Sequence, residues 1–278
     1  MRLLRLACLP FFLSPVLASG ASVAAAVPLV QHRAVYDLQL SEASERSGIT
    51  GISGRMVYEI RGSACEGYTV RFRYVTQSST RDASQITDQQ TTTFEDADGK
   101  SFSFATKSYT DQALDKELRG NATREPEGVK ITIDKPESKS FELQPTQFPT
   151  QHLVDLIHRA KEGETFYETS IFDGSEDADK AMTTTVIVGK QATATSNDPE
   201  RKALDGLSQE KFWPVDIAYF DETSEDGGED TPEYRISFKL HENGLTRDLQ
   251  MDYGDFIIRG QLVDLAVFEP DDKSTCDR

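Results

Sequence analysis

The chain has 278 residues and a formal net charge of −17, from 30 basic and 47 acidic side chains. So acidic a chain is repelled by nucleic acid and by anionic lipid surfaces. It also contains no basic patch with interleaved aromatic residues of the kind that binds single strands. Charge and composition therefore exclude a nucleic-acid partner.

The first predicted element is a secretory signal peptide over residues 1–26. A positive start is followed by a short apolar core over residues 6–17 and by small residues suited to cleavage at residues 24–26. The core is too short and too interrupted by proline to span a bilayer, which disfavours the alternative of an uncleaved membrane anchor. We expect a periplasmic chain that is cleaved near Ala26, has no transmembrane segment in its mature form and folds as one domain over residues 27–278.

Export leaves two cysteines, Cys65 and Cys276, because Cys8 is removed with the signal peptide. Two cysteines in an oxidising compartment pair more often than they stay free, although two unrelated thiols are the alternative. A redox-active pair is disfavoured because the Cys-x-x-Cys spacing is absent. We predict a structural disulfide that ties the C-terminal tail to an early strand, with a stabilisation of about 5 kcal/mol as an upper figure.

Most of the mature chain has the pattern of short strands separated by turns. Val70, Phe72 and Tyr74 alternate with arginines, which is typical of a half-buried antiparallel strand. Residues 85–95 are rich in threonine and polar on both faces, which is typical of a rim or edge strand. The last part, residues 234–268, predicts a meander. We count about 14 strands, with no break in composition that would separate two domains.

Residues 148–163 form the one strongly amphipathic helical pattern. Its apolar core positions recur at steps of three and four: Leu153, Val154, Leu156, Ile157 and Ala160. Pro149 suits the first turn, and Gly163 stands where a left-handed terminating residue belongs.

The strand count and the single helix together predict an architecture. A barrel wider than eight strands leaves a lumen that must hold water, a ligand or a plug. One helix with a broad apolar face fits such a lumen, although the same pattern arises if the helix covers an open sheet from outside. We predict a mainly β fold, an antiparallel barrel of about 14 strands around one central amphipathic helix.

The sequence contains no nucleophile elbow, phosphate loop or dinucleotide fingerprint, so its motifs indicate no catalytic site and no cofactor but leave an enzyme open. A wall hydrolase that uses two of the many carboxylates is the alternative. His152 and His158 lie on roughly opposite faces of the helix, and residues 173–179 lack the spacing of a calcium loop, so we predict no metal. Phe212 and Trp213 are candidate contacts for a partner or ligand, although a core role is favoured.

Several short motifs occur in one order along nearly the whole mature chain. They are Ala64-Cys65-Glu66-Gly67, Phe148-Pro149-Thr150-Gln151-His152, Phe172-Asp173-Gly174, Trp213-Pro214-Val215, Glu242-Asn243-Gly244, Asp252-Tyr253-Gly254-Asp255-Phe256 and Thr275-Cys276. Together they resemble the EipB family of periplasmic envelope-integrity proteins. One position departs from the family, because Tyr68 stands where a tryptophan is expected.

The resemblance implies an alphaproteobacterial periplasmic protein that folds as a spiral β-barrel around a central helix. It also implies a Cys65–Cys276 disulfide, a role in maintaining the cell envelope under stress, and a periplasmic tetratricopeptide-repeat protein as partner. We therefore expect a non-enzymatic protein that supports envelope integrity through protein–protein interaction. The alternative is a carrier or sensor that holds a lipid or the acyl chain of a lipoprotein in the barrel.

Overall fold

The structure is a computed structural model that describes residues 29–175, 177–221 and 231–269. Over these residues it forms one sheet of fifteen strands and two α-helices. The strands are β1 (His32–Ala43), β2 (Gly51–Ser63), β3 (Gly67–Ser79), β4 (Ser84–Glu95), β5 (Ser101–Thr110), β6 (Ala113–Glu125), β7 (Gly128–Lys135), β8 (Lys139–Leu143), β9 (Phe166–Ile171), β10 (Met182–Val188), β11 (Ala192–Thr193), β12 (Lys211–Phe220), β13 (Tyr234–His241), β14 (Thr246–Asp252) and β15 (Phe256–Val267). The helices are α1 (Pro149–Glu162) and α2 (Arg201–Leu204). The predicted signal peptide lies outside the described residues.

The strands are antiparallel and follow a simple order. Consecutive strands pair from β1 to β8, and the other side of β1 pairs with β15. From β15 the sheet continues through β14, β13, β12 and β10 to β9, and the short β11 pairs with β12. The two edge strands, β8 and β9, therefore directly precede and follow α1 in the sequence.

The prediction of a mainly β, antiparallel fold is confirmed, but two details differ. The sheet has fifteen strands rather than about 14, and its edge strands β8 and β9 do not pair with each other. The chain leaving β8 meets β9 through one isolated β-bridge, between Gln147 and Ile171, and through side-chain hydrogen bonds from Thr169 and Ser170. Strand pairing over the described residues therefore leaves an open sheet.

The sheet nevertheless curls, as is shown by strands far apart in the sheet that contribute side chains to the same core. Ile60 on β2 and Val186 on β10 are both buried in one apolar cluster with α1. Past the end of β9, the backbone of Gly174 approaches β5 so closely that an added Cβ would meet Cγ of Phe104 at 2.6 Å. One face of the sheet is therefore concave, and its two halves face each other across a lumen.

Helix α1 packs its apolar side on this concave face. Leu156, Ile157 and Ala160 are buried, and Leu153 and Val154 pack against the same cluster while partly exposed. The cluster also contains side chains from the opposing strands: Tyr68, Tyr167, Val188, Trp213, Val215 and Leu240. The opposite side of the helix is exposed to solvent. The helix ends at Gly163, whose φ of 83° is left-handed, as its position in the sequence predicts.

Of the two alternatives for residues 85–95, a rim or an edge strand, the edge strand is wrong. β4 lies between β3 and β5 and pairs with both along most of its length. Thr91 and Thr93 on its inner side are half-buried, and the hydroxyl of Thr91 lies 3.0 Å from that of Thr106 on β5. The polar pattern of this strand therefore marks a polar wall of the lumen and not an unpaired edge.

Candidate functional site

The N-terminus of α1 is capped by a carboxylate from a distant strand. Phe148 occupies the N-cap position and has no polar side chain to accept a hydrogen bond. Glu95, the last residue of β4 and only 4% exposed, accepts hydrogen bonds from the backbone N–H groups of Thr150 at 2.8 Å and Gln151 at 2.9 Å. The first N–H groups of a helix have no acceptor within the helix and carry partial positive charge. The Glu95 carboxylate supplies both a hydrogen-bond acceptor and a compensating negative charge. Glu95 thus fixes the start of α1 on the concave face.

The Glu95 carboxyl is in an environment that opposes its charge. Burial raises the pKa of Glu95, and the hydrogen bonds from the two backbone N–H groups offset this shift only in part. A second contact holds the same turn from β6, because Nη2 of Arg124 donates to Oε1 of Gln151 at 2.9 Å. The first turn of α1 is therefore held by two strands that are far from it in sequence.

The C-terminal half of α1 is joined to the strand that follows it. The guanidinium of Arg159 pairs with Asp155 at 2.9 Å and with Glu164 at 3.0 Å. It also lies 4.5 Å from the centroid of the Tyr167 ring on β9. These side chains are partly exposed, so each contact contributes a fraction of a kcal/mol to about 1 kcal/mol. Together they orient the helix rather than supply its stability.

Phe212 and Trp213, the candidate partner or ligand contacts, are both about 5% exposed. They lie on opposite sides of β12, as successive strand residues do. Trp213 belongs to the cluster under α1. Phe212 lies on the other side, with its ring 5.9 Å from that of His241 and 4.9 Å from the guanidinium carbon of Arg247. The structure therefore places both rings in the protein interior and not on a contact surface.

A buried ionic network, which the sequence patterns did not reveal, covers the outer face of β13 to β15. The fully buried side chain of Arg247 donates from Nη1 to Asp198 at 2.9 Å and to Glu200 at 3.0 Å. The second oxygen of Glu200 accepts from the backbone N–H groups of Asp248 at 3.0 Å and Leu262 at 2.7 Å. The network fastens the segment that contains α2 onto the sheet.

His241 completes this network as a neutral side chain. Its Nε2 accepts a hydrogen bond from Nε of Arg247 at 3.0 Å, which assigns the proton to Nδ1. Burial first, and the positive charge of Arg247 second, lower the pKa of His241 to about 4. The Glu210 carboxylate lies 3.9 Å from Nδ1. Protonation of His241 would place a second cation beside the buried Arg247.

The part of the lumen that α1 does not fill forms an aromatic cleft of about 470 Å³. One wall comes from β3 and β4, and the other from β12 to β14. The lining residues are Phe72, Tyr74, Gln89, Asp173, Ser175, Lys180, Met182, Tyr219, Glu233, Tyr234, Met251 and Tyr253. In this cleft several aromatic rings and charged groups converge.

Comparison with known proteins places this architecture in a family. A family model described as EipB-like matches residues 23–269, which is most of the chain. The chain belongs to the EipB-like family. The cell envelope integrity protein EipB of Brucella abortus (strain 2308) is 52% identical to this EipB-like chain over 253 residues, covering 91% of this chain and 89% of the Brucella protein.

A solved structure supports the same assignment for the fold. The crystal structure of a β-barrel-like protein of domain of unknown function DUF1849 from Brucella abortus matches this EipB-like chain with a TM-score of 0.83 and 51% identity. The match covers 88% of this chain and all of that one. In the part of the EipB-like chain that the structure describes, neither helix combines the length and apolar character needed to cross a membrane.

Replacing Glu95 with alanine tests the cap of α1. The substitution leaves the N–H groups of Thr150 and Gln151 without their acceptor, so we expect the free energy of unfolding to fall by about 1–3 kcal/mol in urea denaturation. Glu125→Ala, which alters an exposed glutamate at the end of β6, should change it by less than about 0.5 kcal/mol. Equal effects of the two substitutions would contradict the assigned role of Glu95.

The lowered pKa of His241 predicts a dependence of stability on pH. The unfolded chain binds a proton near pH 6.5 and the folded chain only near pH 4, so the free energy of unfolding falls as the pH drops through this window. His241→Gln retains an acceptor for Arg247 but does not titrate. Between pH 7 and pH 5 the wild type should lose about 2 kcal/mol more than H241Q in urea denaturation.

The matched control for this measurement is His158→Gln, because His158 lies on the exposed side of α1. H158Q should retain the pH dependence of the wild type. A pH dependence in H241Q equal to that of the wild type would show that His241 does not titrate as assigned.

Proposed function

We propose that this EipB-like chain is a periplasmic, non-enzymatic protein that supports the integrity of the cell envelope under stress through protein–protein interaction. The observation that carries this proposal is the 52% identity, over 91% of the chain, to a Brucella protein named for cell envelope integrity. The predicted signal peptide supports the periplasmic location. The tetratricopeptide-repeat partner follows from the family resemblance.

The finer fold belongs to the same proposal. We infer that the open sheet winds as a spiral β-barrel around α1, which takes the place of strand pairing between the two edges. Support comes from the apolar cluster that α1 shares with β2, β3, β9, β10 and β12. It comes also from the close approach of Gly174 to Phe104.

We further propose that a Cys65–Cys276 disulfide fastens the C-terminal tail. Cys65 lies in the turn between β2 and β3, whereas Cys276 lies outside the described residues. At the end of β15 the Phe268 ring packs under Arg61 of β2, with the guanidinium carbon 3.7 Å from the ring centroid. The tail therefore begins at the end of the sheet that carries Cys65. The seven residues from 270 to 276 can extend over roughly 20 Å.

Reductant and serine substitutions test the proposed disulfide. We expect C65S, C276S and the double variant to lower the melting temperature of the mature protein by the same amount, because each removes the same cross-link. Reductant should lower the melting temperature of the wild type to that level and leave the variants unchanged. A wild-type melting temperature that does not respond to reductant would contradict the disulfide.

A surface for the protein partner is proposed at the β9 edge of the sheet. Phe166 and Ile187 are cross-strand neighbours on β9 and β10 and are 56% and 52% exposed. They lie on the outer face, opposite Tyr167 and Val186, which pack under α1. Adjacent exposed apolar side chains beside an edge strand are typical of a site where another chain binds. We propose that the tetratricopeptide-repeat protein contacts this pair.

Complementation of a deletion strain tests the function and the surface separately. Loss of the gene should sensitise cells to detergents and to cell-wall antibiotics, and the wild-type gene should restore resistance. The F166S/I187S variant should fold, because both side chains are exposed, but should restore less resistance and recover less partner in pull-downs. Leu114→Ser, at another exposed apolar position, should behave as the wild type.

The outcomes of this experiment are distinguishable. Unchanged resistance in the deletion strain would contradict the role in envelope integrity. Full restoration by F166S/I187S, with undiminished recovery of the partner, would contradict only the proposed surface.

A lipid or lipoprotein carrier remains the second candidate. The observation that favours it is the cleft of about 470 Å³, whose lining includes Phe72, Met182 and Met251. An acyl chain would, however, also desolvate the charged side chains of Lys180 and Glu233 at the same site. The charge of the cleft therefore favours a ligand other than an acyl chain.

A further inference from the structure

The lumen is divided along its length between α1 and the aromatic cleft. On β12, Trp213 and Val215 are buried in the cluster under α1, and Tyr219, farther along the strand, packs against that cluster and lines the cleft. On β3, Tyr68 packs in that cluster and Tyr74 lines the cleft. The cleft therefore lies beyond the cluster under α1, and no residue of α1 lines it. Its volume of about 470 Å³ falls in the range of small-molecule sites.

A continuous row of aromatic rings runs along one wall of the cleft and ends at Phe256, outside the cleft lining. The ring centroids of Tyr219 and Tyr234 are 5.5 Å apart, those of Tyr234 and Tyr253 are 5.0 Å apart, and those of Tyr253 and Phe256 are 4.9 Å apart. On the facing wall, Phe72 and Tyr74 stack with centroids 6.2 Å apart. Burial raises the pKa of each tyrosine in these rows, so all of their hydroxyls stay neutral at physiological pH.

The charged groups at the cleft are predominantly negative. Nζ of Lys180 lies 2.5 Å from Asp221 and 3.7 Å from Glu233. Asp173 faces the same space, and its negative charge contributes to the raised pKa of Tyr219. Among the described residues, the cleft-lining carboxylates of Asp173 and Glu233, together with Asp221 beside Lys180, outnumber the one ammonium group and give a net charge of −2. The cleft repels anions.

We propose that the aromatic cleft binds a small organic cation that carries an alkylated ammonium group. Tyrosine and phenylalanine rings attract a cation over their faces, and this attraction is strongest where water is excluded. The alkyl groups of such a cation bury apolar area against Phe72, Met182 and Met251, while Asp173 and Glu233 complement its charge. A neutral alkyl chain gains only the apolar part of this binding.

Titration calorimetry of the mature protein with choline and with 3,3-dimethylbutan-1-ol tests this proposal. The alcohol has nearly the same shape as choline but lacks the positive charge. We expect choline to bind at least about tenfold more tightly than the alcohol, because cation–π attraction acts only on the cation. Decanoate serves as the acyl-chain and anion probe and should show no binding at this site. Equal affinities for choline and the alcohol, or binding of decanoate alone, would overturn the proposal.

Two variants assign the binding to the cleft. Tyr234→Leu removes the central ring of the aromatic row and should weaken choline binding about tenfold. Asp173→Asn should weaken it about threefold by removing a negative charge, while its amide oxygen still accepts the hydrogen bond from the Ser175 N–H. Tyr109→Leu, on β5 and outside the cleft lining, should bind choline as the wild type does.

D173N keeps the test decisive if Y234L does not fold, because Asp173 is exposed and the substitution changes only its charge. If D173N, and Y234L where it folds, bind choline as tightly as Y109L does, the assignment of the binding to the cleft is wrong. The measurement does not depend on the partner proposed above, since it uses only the purified protein.

Discussion

The contact between Glu95 and the first turn of α1 is the constraint on which the architecture depends. Strand pairing alone leaves the sheet open, because its edges β8 and β9 do not pair. The helix between these edges in sequence joins the two halves of the sheet through one apolar cluster. Glu95 determines where that helix begins on the concave face, since Phe148 at its N-cap cannot accept a hydrogen bond.

The inner and outer faces of the sheet use different interactions for the same purpose. Inside, burial of Leu156 and Ile157 contributes about 1.5–3 kcal/mol each and holds α1 against the strands. Outside, Arg247 and Glu200 hold the segment with α2 through charged hydrogen bonds. Within this network Glu200 is satisfied by two backbone N–H groups and Arg247, whereas Nη2 of Arg247 and Nδ1 of His241 are buried without a hydrogen-bond partner among the described residues.

The sequence predicted the elements whose signals are local. Pro149 and Gly163 mark the two ends of α1 correctly, and the alternation around Phe72 and Tyr74 identifies β3. The cap could not be predicted, because Glu95 precedes Thr150 by 55 positions and nothing near either residue indicates the contact. The sequence could not exclude the edge-strand alternative for β4, because a polar lumen wall and an exposed edge produce the same pattern of threonines.

The site was less predictable than the fold, for a related reason. Alternation in β3 and β12 places Tyr74 and Tyr219 on inner positions, but only the curl of the sheet brings their two walls together. Phe212 and Trp213 stood out as neighbours in the sequence, yet adjacent strand residues point to opposite faces, so they never form one surface. A sequence pattern shows which residues share one face of a strand. Which parts of the sheet then face each other depends on the curvature and packing of the whole sheet.

The molecule has one end that α1 fills and another that carries the proposed cation site. Helix α1 is held at its end by Glu95 and the surrounding strands. The tyrosine rows and carboxylates form the other end, where a ligand would be bound without displacing the helix. The β9 edge, with Phe166 on its outer face, is a third surface. A protein partner that binds there contacts neither α1 nor the aromatic cleft.

Native-state hydrogen exchange of the backbone amides in residues 150–157 tests the central claim most directly. If α1 is seated in the lumen and capped by Glu95, the amides of Thr150 and Gln151 should be protected although they begin a helix. The amides through Ile157 should exchange as slowly as that of Val186 in β10. Exchange of the whole helix at the rate of the exposed turn at Arg81 and Asp82 would contradict the account.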